Sequence, residues 1–179
     1  GGLLNIQTSD INFSDLTVTI YRRADCPEDT RRLQPLVKTR DRILPLSSEL
    51  LRLTYEYIFH HRRSIKGVKS HPYLFVAHKT GDPLSLSALN RVFRDLDIEV
   101  DGVDYKVTPH ELRHTWNDSF SRASDLKGYT DSEEQASRAY AMGWSPTSGT
   151  AATYTKRHVR NKAKEISLDY QKTMLKGGE

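Results

Sequence analysis

The chain has 179 residues, 36% of them apolar, which is enough for a hydrophobic core and unlike a disordered composition. Lysine and arginine outnumber acidic residues 27 to 23, and a net charge of +4 permits nucleic acid as a partner without establishing it. A single cysteine, Cys26, excludes an internal disulfide, and no stretch approaches the roughly 20 apolar residues of a membrane span. No charged-then-apolar leader opens the sequence, so the expected compartment is the cytoplasm. Cys26 sits in the polar run Asp25-Cys26-Pro27-Glu28-Asp29 and reads as an incidental loop thiol.

Leu3-Leu4-Asn5-Ile6 reads as the tail of an apolar helix without a cap, which suggests an excised piece of a longer chain. Leu16 to Tyr21 alternates and is β-branched, predicting a strand. After a polar loop from Arg22 to Arg32, the runs Gln34–Lys38 and Arg42–Leu46 read as an antiparallel hairpin joined by Thr39-Arg40-Asp41. Pro45 belongs at its edge or end. Ser47 or Ser48 can cap a helix to about Arg63, with Leu50, Leu51, Leu53, Tyr57 and Ile58 as its apolar stripe. His60 and His61, adjacent on that helix, point different ways and read as a solvated end.

Tyr73–Ala77 is a short apolar run ending in the turn His78–Pro83. Leu86, Leu89, Val92, Phe93 and Leu96 mark a helix from about Ser85 to Asp97. Asp101-Gly102-Val103-Asp104 reads as a turn. Thr108-Pro109-His110-Glu111 is a strong helix start, and Thr130-Asp131-Ser132-Glu133 repeats the capping-box signature for a helix ending at Gly143. Tyr154 is placed on a short segment before a last basic helix, about Val159 to Leu175. The predicted class is α+β, mainly α-helical, with a small antiparallel three-stranded sheet beside a helical bundle.

His110 and Arg113 lie three apart at a helix start, on one face. An anion there meets free backbone N–H groups, an imidazole and a guanidinium fork that can donate two bonds to phosphate. Taken alone, the pair is equally well a surface histidine and a solvated arginine. Met142-Gly143-Trp144-Ser145-Pro146 and Tyr154-Thr155-Lys156-Arg157 add a ring N–H donor and a tyrosine flanked by bases.

With His110-Glu111-Leu112-Arg113-His114-Thr115, these segments resemble the tyrosine recombinase (phage integrase) family. The matching positions are His110, Arg113, Trp144 and Tyr154. The family's hairpin lysine before a Pro-Leu strand end matches Lys38 in Lys38-Thr39-Arg40-Asp41-Arg42-Ile43-Leu44-Pro45-Leu46. The likeness runs from Leu3 to about Lys164, and the order of the motifs is more specific than any one of them. Three departures stand out. The family's first arginine belongs just upstream of Gly1, the Trp144-to-Tyr154 spacing is one residue long, and the lysine hairpin is one residue short.

The resemblance implies a single catalytic domain over residues 1–179, without that first arginine and without a DNA-clamping N-terminal domain. It implies that Tyr154 attacks a phosphodiester of double-stranded DNA, forming a 3′-phosphotyrosyl bond and releasing a 5′-hydroxyl. Arg113, His110 and Trp144 are expected on the scissile phosphate, Lys38 on the leaving oxygen, and His114 behind them. No metal or cofactor is expected, because protein cations take that place. Arg40 and Arg42, then Lys156, Arg157 and Arg160, are candidates for the DNA backbone, with Arg31, Arg32, Lys162 and Lys164 in the same basic runs. The expected setting is a phage or other mobile element in a prokaryote, with a multimer on DNA and a monomer in free solution.

Two other readings compete. His110-Glu111-Leu112-Arg113-His114 is literally HExxH, the zinc-peptidase signature, with Glu133 as a conceivable third ligand. That reading gives Lys38, Trp144 and Tyr154 nothing to do. The other is a DNA-binding module without catalysis. Tyr140 is the nearest rival to Tyr154, but it lies inside a predicted helix.

Overall fold

The computed structural model describes residues 1–23, 26–27, 29–101 and 103–176. Asp25, Glu28 and Gly102, which enter two of the predicted loops, lie outside the described residues. The chain divides into two compact units, Gly1–Thr108 and Pro109–Glu179.

The first unit is built on an antiparallel three-stranded sheet of β1 (Ile11–Asn12), β2 (Thr17–Ile20) and β3 (Arg42–Pro45), in that order. Strand β2 pairs with both neighbours, Val18 opposite Ile11 on one side and Leu44 on the other. Its alternation turns Val18 and Ile20 into a core shared with Ile6, Ile11, Val37, Leu51 and Leu74. Leu3–Asn5, read as a helix tail, is a 3-10 turn.

The predicted hairpin is corrected. Arg42–Pro45 pairs with β2, and Gln34–Lys38 forms no strand. Pro35 has no N–H for a ladder, its carbonyl accepts from the buried Asn5 side chain, and Val37 is spent on the core. The segment that carries Lys38 is therefore part of a long connection between β2 and β3.

Arg31 holds that connection in place. Its buried guanidinium donates to Asp29, to the Leu4 and Leu84 carbonyls and to Asn5 Oδ1 at 2.7–3.1 Å. This removes Arg31 from the basic run proposed for DNA.

Helix α1 (Ser48–Glu56) is capped by Ser47, whose hydroxyl accepts from Leu50 N–H at 3.1 Å. It runs on as a π-turn (Tyr57–His61) and a 3-10 turn (Arg62–Ser64). Only Leu51 of its expected stripe is buried, while Leu50 and Leu53 are about half exposed. His60 and His61 are exposed.

The Tyr73–Ala77 run makes isolated bridges rather than a strand, Gln7 to Tyr73 and Val76 to Pro83. Gly81, at φ 76°, lies so close to the Lys66 carbonyl that a Cβ would come within 2.0 Å of it. Helix α2 (Leu86–Arg94) lies within the predicted range and is capped by Ser85, whose hydroxyl accepts from Ala88 N–H at 3.1 Å. A hairpin of β4 (Asp97–Val100) and β5 (Val103–Lys106), which periodicity did not single out, follows it.

The second unit is three helices: α3 (Pro109–Leu126), α4 (Asp131–Met142) and α5 (Thr150–Lys176). Pro109 is the first helical residue of α3. Thr130 and Glu133 form the predicted capping box, and Gly143 ends α4 at φ 68°. Tyr154 stands inside α5, so the last helix begins nine residues earlier than Val159. Ala151 and Ala152 favour helix where the flanking serine, glycine and threonine read as loop. Among the described residues, no helix is long and apolar enough to cross a membrane.

Candidate active site

Of the predicted site residues, His110, Arg113, His114, Trp144 and Tyr154 all belong to the helical unit, and His114 and Trp144 pack on the Tyr154 ring. His110, Arg113 and His114 share one face of the start of α3, with His110 and Arg113 exposed and His114 half-buried. Tyr154, half-buried, projects from the second turn of α5.

Trp144 is set by the end of α4. Gly143 N–H donates to the Tyr140 carbonyl at 3.0 Å and Trp144 N–H to the Ala139 carbonyl at 2.8 Å, a Schellman closure that needs the left-handed glycine. The Trp144 indole then stacks on the Tyr154 ring, with centroids 5.7 Å apart and planes 8° from parallel. A Ser145-to-Ser148 turn links the two elements, with Ser148 N–H donating to the Ser145 carbonyl at 2.8 Å.

A hydrogen-bonded chain runs beside the tyrosine. Arg157, on α5, donates through Nη2 to Asp118 and through Nη1 to His114 Nδ1, the latter at 2.9 Å. An arginine can only donate, so His114 Nδ1 accepts and its proton sits on Nε2. That N–H is 2.9 Å from His110 Nε2 and donates to it, leaving His110 with its proton on Nδ1. The His114 ring lies 5.8 Å from the Tyr154 ring, and the Arg157 guanidinium is 5.0 Å from the same ring centroid. His114, Gly149, Thr150, Thr153, Tyr154 and Arg157 line an open cleft.

The same geometry gives the HExxH segment another use. The two imidazoles hydrogen-bond to each other, and the Glu133 carboxylate is committed to its cap, accepting from Thr130 N–H and Oγ1–H at 2.8 Å each. Those bonds hold the Glu133 carboxyl below its ordinary pKa. Among the described residues, no group of three histidine, cysteine or acidic side chains is placed to hold a metal ion.

A family model described as the phage integrase family matches residues 1–160, about nine-tenths of the chain. The chain belongs to the phage integrase family. A solved structure described as the crystal structure of XerA recombinase shares its fold, at 24% identity and a TM-score of 0.59. The match covers 93% of this chain and 52% of that one, so the chain spans about half the length of that structure. No curated protein matches the sequence.

The remaining residues singled out in the sequence are spread over both units. Lys38 is exposed on the connection before β3, in the first unit. Arg40 is exposed nearby, and Arg42 is half-buried, its Nη1 donating to Thr39 Oγ1 at 3.0 Å and to the Arg40 carbonyl at 3.2 Å. In the second unit Lys156 and Arg160 are exposed, whereas the Arg157 fork is engaged by Asp118 and His114. Among the described residues, the Arg113 guanidinium makes no hydrogen bond or ion pair, and its backbone carbonyl accepts from Asn117 at 2.8 Å.

Sequence reasoning missed Asp118, which anchors Arg157, and Arg138. Arg138, on α4, is fully buried with its guanidinium 5.8 Å from the Tyr154 centroid. Burial pushes its pKa below the ordinary arginine value against the opposing pull of Glu134. Asp118 carries no sequence signal beyond its place four residues after His114, and Arg138 carries none.

Proposed function

We propose that this chain is the strand-cleaving domain of a site-specific tyrosine recombinase acting on double-stranded DNA. The observation that carries the proposal is the packing of His114, Trp144 and Arg157 around one tyrosine, Tyr154, with His110 hydrogen-bonded to His114, in a chain of the phage integrase family.

In this reading the Tyr154 oxygen forms a bond to the scissile phosphorus while the bond from phosphorus to the 5′ oxygen breaks. The products are a 3′-phosphotyrosyl link and a 5′-hydroxyl. The tyrosine proton passes to His110 Nε2, which gives up the hydrogen bond from His114 to accept it, and Lys38 gives a proton to the leaving oxygen. Extra charge on the phosphorane falls to Arg113, the first turn of α3 and the Trp144 indole N–H. The phosphotyrosyl bond preserves the energy of the broken linkage, so a 5′-hydroxyl from a second strand can reverse the step. Arg40, Arg42, Lys156 and Arg160 hold flanking phosphates, and the domain works as a multimer on DNA within a longer protein whose upstream residues include the family's first arginine.

A nicked DNA substrate whose cut strand cannot be religated tests the proposal. The full-length protein traps itself as an adduct that survives denaturant, and Tyr154→Phe forms none while binding DNA as before. An adduct that persists in Tyr154→Phe overturns the assignment.

A further inference from the structure

Among the described residues, Arg138 is the largest side chain to be fully buried, and its hydrogen-bond partners are polar groups of α3 and α4. Its Nη1 donates to the backbone carbonyl of Asn117 at 2.9 Å and to Asn117 Oδ1 at 2.8 Å. Its Nη2 donates to Ser121 Oγ at 2.7 Å and to Glu134 Oε1. Ser121 in turn donates to Glu134 at 2.7 Å, and Asn117 Nδ2 donates to the carbonyl of Arg113 at 2.8 Å. Among the described residues, Nε is left without a partner. The guanidinium also lies 5.1 Å from the Phe120 ring centroid and 5.8 Å from that of Tyr154.

A buried ion pair is a poor stabiliser, because apolar side chains of the same volume commonly serve as well or better. A reason for this one is found in what it joins. Its fork grips α3 one turn beyond Arg113 and His114, its own backbone belongs to α4, and its face meets the nucleophile on α5. An aliphatic side chain would fill the volume but could not fix the register of three helices at once.

We propose that Arg138 is a positioning residue for strand cleavage, indexing Tyr154 against the helix that bears His110 and Arg113. This inference rests on the recombinase reading above. Arg138 reaches no phosphate. It sets where the tyrosine oxygen stands relative to groups that do.

The test uses the full-length protein with 3-fluorotyrosine at position 154 and two variants. Arg138→Lys keeps the charge beside Glu134 but not the planar fork. Arg138→Met with Glu134→Gln removes both charges together, so that neither is left buried alone. Single-turnover cleavage of the nicked substrate, DNA affinity, thermal unfolding and the fluorine resonance are measured for each.

Affinity is expected to stay within about twofold and the unfolding transition to persist. Cleavage is expected to fall roughly 10- to 100-fold in the double variant, the scale of a misplacement of about 1 Å, with partial rescue by lysine. The fluorine resonance of residue 154 shifts in both. A parental cleavage rate with an unmoved resonance overturns the proposal. So does loss of the unfolding transition in both variants, which makes Arg138 a folding residue alone. If the parent protein itself forms no adduct, the recombinase reading fails separately, and the fluorine signal then decides whether Arg138 governs Tyr154.

Discussion

At the scale of single residues, hydrogen-bond direction fixes protonation. Arg157 cannot accept, so it sets the His114 tautomer, and through it the tautomer of His110. Buried ion pairs act differently in the first unit, where Arg31 and Asp29 side chains are 4% and 2% exposed. Burial alone would raise the Asp29 carboxyl, but its hydrogen bonds to Arg31 and the charge beside it win, and its pKa lies below the ordinary value. A carboxyl depressed in the folded state stabilises above its unfolded pKa of about 3.9, and that stability is lost as pH falls through the lower folded value. Arg31→Ala, which strands a buried carboxylate, is therefore expected to cost about 3–5 kcal/mol in urea unfolding at pH 7. Asp29→Asn should flatten the acid limb of the stability profile below about pH 4. A parental acid limb in Asp29→Asn would show that other carboxyls set it.

At the scale of elements, local chemistry was legible and long-range demand was not. The α4 cap depends on four consecutive residues, and Thr130, Glu133 and Gly143 stand in their predicted roles. Thr130→Ala is expected to remove about 1 kcal/mol from the unfolding free energy of the second unit, read as a lowered midpoint in thermal melting. An unchanged midpoint would mean that packing of α4, not its cap, fixes that helix end. By contrast, Gln34–Lys38 has a strand-like look, but Val37 is claimed by the core and Pro35 by Asn5, demands that come from residues far away in sequence. The sequence pattern starts α5 too late because Ser148-Gly149-Thr150 resembles a loop. In the fold those residues are the helix entrance, Thr153 N–H donating to the Gly149 carbonyl at 3.1 Å.

At the scale of the whole molecule, the two units are held by different physics. The first has an aliphatic core around β2, and the second buries Asn117, Ser121, Glu134 and Arg138 against one another. The family was readable because its motifs are short, ordered and chemically unlike ordinary surface. The interior of the helical unit was not, because polar residues at i, i+4 spacing on two helices look the same in sequence whether they meet solvent or each other.

The central claim is that Tyr154 is the nucleophile. The measurement that bears on it most directly is mass spectrometry of the trapped DNA adduct after nuclease and trypsin digestion. Trypsin releases Ala139–Lys156 as one peptide that carries both Tyr140 and Tyr154, so fragmentation within it separates the two. The nucleotide remnant is expected on Tyr154, and finding it on Tyr140 or on any other side chain would contradict the account.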